Sequence, residues 1–232
     1  MNINVSRPHE VDINTVQAAA LMPEGGASPN EDELSPGQVM RRYPAERTAE
    51  RLAVLGSKLS SPRYRKEALH YMAAIHRQLS GSKPGAFDRS ELLWAAACLD
   101  AADHLDPIDS LDRLERVLIL LKVVCHDAYG KSWSQLNDGE RRSLGDRCGA
   151  SSCLRDLLRS GALLLLTIDS REPPFFPMDV FRCFLSGNLD RSLMPELVIH
   201  VIPALRTLQE RWPQNGHVTE LLDLAELKLS HL

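Results

Sequence analysis

Residues 117–125 read VLILLKVVC, apolar except for Lys122. No other stretch limits the fold as strongly. The run is far shorter than the roughly 20 apolar residues that a membrane helix needs, and Lys122 interrupts it, so it does not span a bilayer. Leucine favours helix, and a helix that is apolar around most of its circumference gains free energy only if it is covered on most sides. The run therefore predicts a central buried helix, and apolar residues flank it at the 3.6-residue period. Tyr64, Ala68, Met72, Ile75 and Leu79 fall on one face of a segment that follows Ser61-Pro62 and is closed by Gly81. Val198, Val201, Ile202, Leu205, Leu208 and Trp212 line a later helix that Pro203 should kink, and Val218, Leu221, Leu222, Ala225 and Leu229 define the terminal one.

Helix-start signals divide these patterns. Asp88 with Glu91, and Asn137 with Glu140, have capping-box spacing. Asp106-Pro107 predicts the start of the helix that carries the central run, and Ser151 or Ser152 that of a segment ending in GALLLLTI, read as helix because no partner strand is visible. The fold class expected is all-α, an irregular multi-helix bundle over residues 44–232. Residues 1–43 differ: MPEGGASPNEDELSPG is rich in Gly, Pro, Ser and acid, a composition that buries too little surface to offset ordering entropy. They predict a disordered leader with one short helix at 16–22 and another starting at Pro36 after Ser35.

Aromatic residues are used sparingly, yet four of the five phenylalanines, Phe175, Phe176, Phe181 and Phe184, fall together around SREPPFFPMD. Pro173, Pro174 and Pro177 predict a stiff, extended connector before a short helix at 178–185. Rigidity fixes where aromatic side chains point. Phe175 and Phe176 are accordingly the candidate partner-binding residues, with inward packing beside Phe181 and Phe184 as the alternative. Trp94, Trp133 and Trp212 are expected to anchor the core.

Reactive constellations are sparse. Neither GxxxxGK[ST] nor GxGxxG occurs, so no nucleotide cofactor is expected. Cys148 and Cys153 form a C-x4-C pair without the further ligands that structural zinc needs, and no metal is expected. Cys125-His126-Asp127 are neighbours that point about 100° apart on a helix, so they predict no catalytic set. Asp100, Asp103, Asp106, Asp109 and Asp112 lack a calcium loop and read as a solvated face with Asp106 as a cap. His70 and His76 lack metal-pair spacing and read as surface. Arg41-Arg42 and Arg63, Arg65 and Lys66 are modest basic clusters in a chain of net charge −4, a balance that argues against nucleic-acid partners. Five cysteines, an odd number lying largely in apolar patterns, fit a reducing compartment.

The first residues, MNINVSRPHEVDIN with Ile3, are similar to the amino termini of bacterial type III secretion substrates. A polar leader before a helical body also resembles the layout of secretion gatekeepers and of several virulence effectors. The resemblance implies a helical protein-protein interaction protein, regulator or delivered effector, acting by binding. Its partners would be a secretion chaperone, the secretion apparatus or a host protein, and its location the bacterial cytoplasm with delivery into a host cell. It names no functional residue in the body. An enzyme assembled from distant residues, and a cytoplasmic helical adaptor unrelated to secretion, remain the alternatives.

Overall fold

The structure, a computed structural model, describes residues 34–82, 87–149, 151–167 and 175–230, without the side chains of 175–177. The predicted leader through residue 33, including the short helix at 16–22, lies outside the described residues. All described secondary structure is helical, as the apolar periods predict. Contacts cluster into two compact units that divide after Ile108.

Described structure in the first unit begins at residue 34, ten residues before the predicted edge of the helical body, and includes the short helix expected at Pro36. Helix α1 (Pro36–Arg42) starts at Ser35, whose hydroxyl accepts from the Gln38 amide while the Gln38 side chain accepts from the Ser35 amide. Proline at the first helical position leaves no donor orphaned. Val39 is fully buried, and Arg51 of α2 (Thr48–Ser57) donates to the Tyr43 carbonyl at 2.8 Å and the Met40 carbonyl at 3.1 Å. Residues 36–43 are thus folded. Their valine, methionine and tyrosine supply apolar surface that the preceding composition lacks.

The main packing of this unit is between α3 (Arg65–Ser82) and α4 (Arg89–Leu105). Helical hydrogen bonding into α3 begins at the Ser61 carbonyl, and Ala68, Leu69, Met72, Ala73 and Ile75 are buried. From α4 come Leu92, Ala95, Ala96, Cys98, Leu99 and Ala102. Asp88 caps α4 by accepting from the Glu91 amide. Asp106 does not open a helix. It stands at the C-cap of α4 and meets Lys66 at 2.6 Å.

In the second unit α5 (Ser110–Tyr129) packs on α8 (Ser152–Thr167). Its N-cap is Asp109, not Asp106: Asp109 accepts from the Leu111 and Asp112 amides, both at 2.9 Å. Pro107 lies within the short link between α4 and α5 instead. Gly130, at φ 64°, closes α5 in the left-handed conformation that glycine adopts without strain. Within 117–125 seven residues are buried, but Leu118 is 46% exposed and Lys122 is exposed too. The helix is buried on a broad face rather than all round. Leu111, Leu118 and Lys122 recur at heptad-like spacing and share the open side.

Two short helices, α6 (Asp138–Arg142) and α7 (Leu144–Cys148), follow a 3-10 turn at Trp133–Gln135. Asn137 and Glu140 form the full capping box expected of them. Helix α9 (Phe175–Ser186) begins earlier than predicted, so residues 175–177 are helical rather than extended and Pro177 sits in the first helical turn, while the rest of the predicted connector lies outside the described residues. Amides in that turn have no intrahelical partner, so proline costs nothing there. A 3-10 turn (Arg191–Leu193) leads into α10 (Met194–Glu196), a π-helical turn (Leu197–Val201), α11 (Ile202–Arg211) and α12 (Gly216–Ser230). The disturbance from Pro203 takes the form of that π turn. Proline cannot donate to the carbonyl four residues back, and a π turn shifts the local pairing by one residue. The shift buries Leu197 and Val201 and turns Val198, predicted on the buried face, outward at 50% exposure.

Close backbone approaches fix α9. A β-carbon at Gly161 would stand 2.8 Å from Phe181, and one at Gly187 would stand 1.7 Å from the Arg142 carbonyl oxygen. Gly187→Ala should therefore lower unfolding free energy by at least about 3 kcal/mol, the upper end for overpacking, because rigid backbone must move. Gly81→Ala, where nothing lies within 4 Å, should be neutral or stabilising. Urea denaturation of both variants checks this, and equal stabilities would contradict the close approach.

Candidate functional site

Nucleophilic, acid-base and recognition groups fall in separate places. Cys98 is buried in α4, and burial pushes its thiol up from 9.0 to about 12. Cys125 is buried in α5 and is raised to about 12, first by burial and then by neighbouring Cys148, with Arg141 opposing. Cys148 rises to about 11 through burial, then Asp127 and Cys153, and its Sγ lies 3.7 Å from the Val124 carbonyl oxygen. Burial also raises Cys183. Such thiols are protonated near neutral pH and are poor nucleophiles. Cys125-His126-Asp127 is not brought together as a set: Cys125 turns inward and Asp127 outward. Among the described residues no group of three or more His, Cys, Asp or Glu is arranged to hold a metal ion.

His76, expected at the surface, is largely buried instead. Its Nδ1 lies 2.5 Å from Glu91 Oε2, and its ring stacks on Trp94 with centroids 5.9 Å apart. The Glu91 carboxylate that capping-box spacing assigns to the Asp88 amide is engaged by this histidine. The pair clamps α3 to α4. The tryptophans are half-buried rather than central. Arg141 lies 5.1 Å over the Trp133 ring, and Trp212 ends α11.

Several large apolar side chains are exposed. Val198 and Ile199, 50% and 62% exposed, are carried by the π turn, and Pro195 and Pro203 beside them are also exposed. Nothing in their spacing singles them out in the sequence, because the 3.6 period assigns Val198 to the core. The backbone of Phe175 and Phe176 forms the start of α9, and their side chains lie outside the described residues. Phe181 and Phe184 are buried. Helices α9 and α12 run in one direction, since Arg182 meets Glu220 at 3.6 Å while Lys228 Nζ donates to the Gly187 carbonyl at 2.5 Å. The start of α9 therefore lies toward the Pro213-Gln214 end of α12. Compared with protein-family models, with curated proteins and with solved structures, the chain has no match.

The thiols make a pH prediction. A folded-state value above 9.0 means that the native protein holds a proton which the unfolded chain releases. The stabilisation is complete below pH 9 and is lost as pH rises toward about 12. Each thiol contributes a slope of at most about 1.4 kcal/mol per pH unit. Cys98→Ala and Cys125→Ala should each flatten the alkaline decline of urea-denaturation stability, and slopes equal to wild type in both would refute the assignment.

Proposed function

We propose that this chain is a helical protein-protein interaction protein associated with bacterial type III secretion, a regulator of the gatekeeper kind or a delivered effector, and that it works by binding. The observation that carries the binding reading is the exposed aliphatic pair Val198 and Ile199, held on a π turn packed against α8. π turns recur at functional sites, and apolar side chains on a rigid helix lose little entropy on contact. The association with secretion is supported by the likeness of the leader, with Ile3, to type III substrates. The partner is a secretion chaperone, a part of the apparatus or a host protein. The protein resides in the bacterial cytoplasm until the apparatus delivers it to a host cell. No described helix is long and apolar enough to cross a membrane.

The full chain, tagged at its carboxyl end and expressed in a bacterium with a working type III apparatus, should reach the medium. It should stay inside an export-ATPase mutant, and so should a form lacking residues 2–33. Equal release from all three strains, or from none, would overturn the secretion reading.

Phe175 and Phe176 are proposed as partner anchors at the start of α9. As anchors, Phe175→Ala and Phe176→Ala should each change unfolding free energy by only a few tenths of a kcal/mol, whereas burial in the core would make each cost about 3 to 5 kcal/mol. Chemical denaturation of the two variants decides between these values.

A further inference from the structure

Helix α12 carries a continuous stripe made by Gly216, Thr219 with Glu220, Asp223 with Leu224, and Leu227. These positions follow the helical period and share one face. Together with Pro213 and Gln214 of the preceding turn they line an open depression of about 580 Å³. A β-carbon at Gly216 would meet nothing within 4 Å, and Leu227 at the other end is 51% exposed. From Gly216 to Leu227 the helix rises roughly 16 Å, the length of three helical turns.

Charge is unevenly met along this face. Glu220 has Arg182 at 3.6 Å and His217 at 3.9 Å. Asp223 has no ion pair among the described residues. Lys228, the only lysine or arginine in the helix, is drawn to the Gly187 carbonyl. Glu226 is met by Arg206 at 2.8 Å. An exposed carboxylate without a cation therefore stands beside two leucines, on a helix whose neighbouring charges are already engaged.

We propose that this face of α12 is a docking site for a basic amphipathic helix of the partner protein. An aliphatic side chain of that helix packs against Leu224 and Leu227 while a lysine or arginine pairs with Asp223. The proposal rests on the binding function proposed above and names the partner's chemistry. Apolar contact supplies affinity, and the carboxylate supplies register and rejects acidic segments. A second copy of the chain does not fit this face. An isologous contact would set the stripe against itself and bring Asp223 and Glu220 toward their own copies.

The test uses the full chain and a fluorescein-labelled helical peptide with leucines along one face flanked by lysines, together with the same peptide carrying glutamates in place of the lysines. By fluorescence anisotropy the lysine peptide should bind about tenfold or more tighter than the glutamate peptide. Asp223→Lys should reverse that preference, and Leu227→Asp should abolish binding of both. Glu46→Lys, an exposed acid of the first unit, should leave affinity within about twofold. Asp223 and Leu227 are both exposed, so these variants keep the fold, which circular dichroism verifies. Equal binding of the two peptides, or equal weakening by Glu46→Lys and Asp223→Lys, would overturn the site. So would a dimer that Leu227→Asp dissociates, since a second copy would then be the occupant. Peptide discrimination without type III-dependent release overturns the secretion reading and keeps this site, and release without discrimination does the reverse.

Discussion

The second unit depends on a place where two backbones touch without room for a side chain. The Arg142 carbonyl at the end of α6 approaches Gly187 so closely that a β-carbon would overlap it. That approach lets the end of α9 sit against α6, and the Gly187 carbonyl then accepts from Lys228 of α12. Three helices meet at one residue. Upstream, Phe181 covers Gly161 of α8, and Phe184 with Leu189 lies over Gly145 of α7. The crowding of phenylalanines around α9 is thus explained in part by glycines: a flat ring fills the space that a missing side chain leaves, and both rings are almost fully buried.

Much of the architecture was legible because helix signals are local. Asn137 with Glu140 satisfies orphan amides within three residues and forms the capping box that its spacing predicts, and a helix starts at Pro36 after Ser35 as expected. The GALLLLTI segment is helical through Thr167, and the apolar faces of α3 and α12 are largely those that the period picks out. Errors arose where a distant group won. Glu91 has capping-box spacing, yet its carboxylate turns to His76 fifteen residues away. Asp106-Pro107 predicts the start of α5, but the cap falls to Asp109, because Asp106 closes α4 and reaches Lys66. Pro203 signalled a disturbance but not its form, and the π turn then moved Val198 from the expected inner face to the outer one. The end of the folded region was missed for a compositional reason. Gly, Pro, Ser and acidic residues are frequent from Pro23 to Gly37, and the few buried residues that follow, Val39 and Tyr43, are too small a signal to mark a packed helix.

The candidate site was legible only in its aromatic component. SREPPFFPMD drew attention to the start of α9, and the structure places that start toward the same end of α12 as the Pro213-Gln214 turn. The α12 stripe itself is invisible as a motif, since Glu220, Asp223, Leu224 and Leu227 are residues that any solvated helix carries. What distinguishes them is the company they keep in space. Only the folded chain shows that Arg182 and His217 take Glu220, that Lys228 turns away, and that Asp223 is left beside Leu224 and the exposed Leu227.

The same comparison bears on chemistry against recognition. Acid-base or nucleophilic catalysis needs titrating groups that converge where a substrate can reach them. Here one histidine-carboxylate pair and three thiols are taken up by packing. His76 and Glu91 spend their hydrogen bond on joining α3 to α4, and burial keeps the Cys98, Cys125 and Cys148 thiols protonated near neutral pH. Among the side chains open to solvent are aliphatic residues on helical turns, and a carboxylate, Asp223, that has no ion pair among the described residues. Such groups change no bonds, but they discriminate between partner surfaces by shape and charge. The binding function proposed above rests on these exposed groups, Val198 and Ile199 on the π turn and Asp223 with Leu227 on α12.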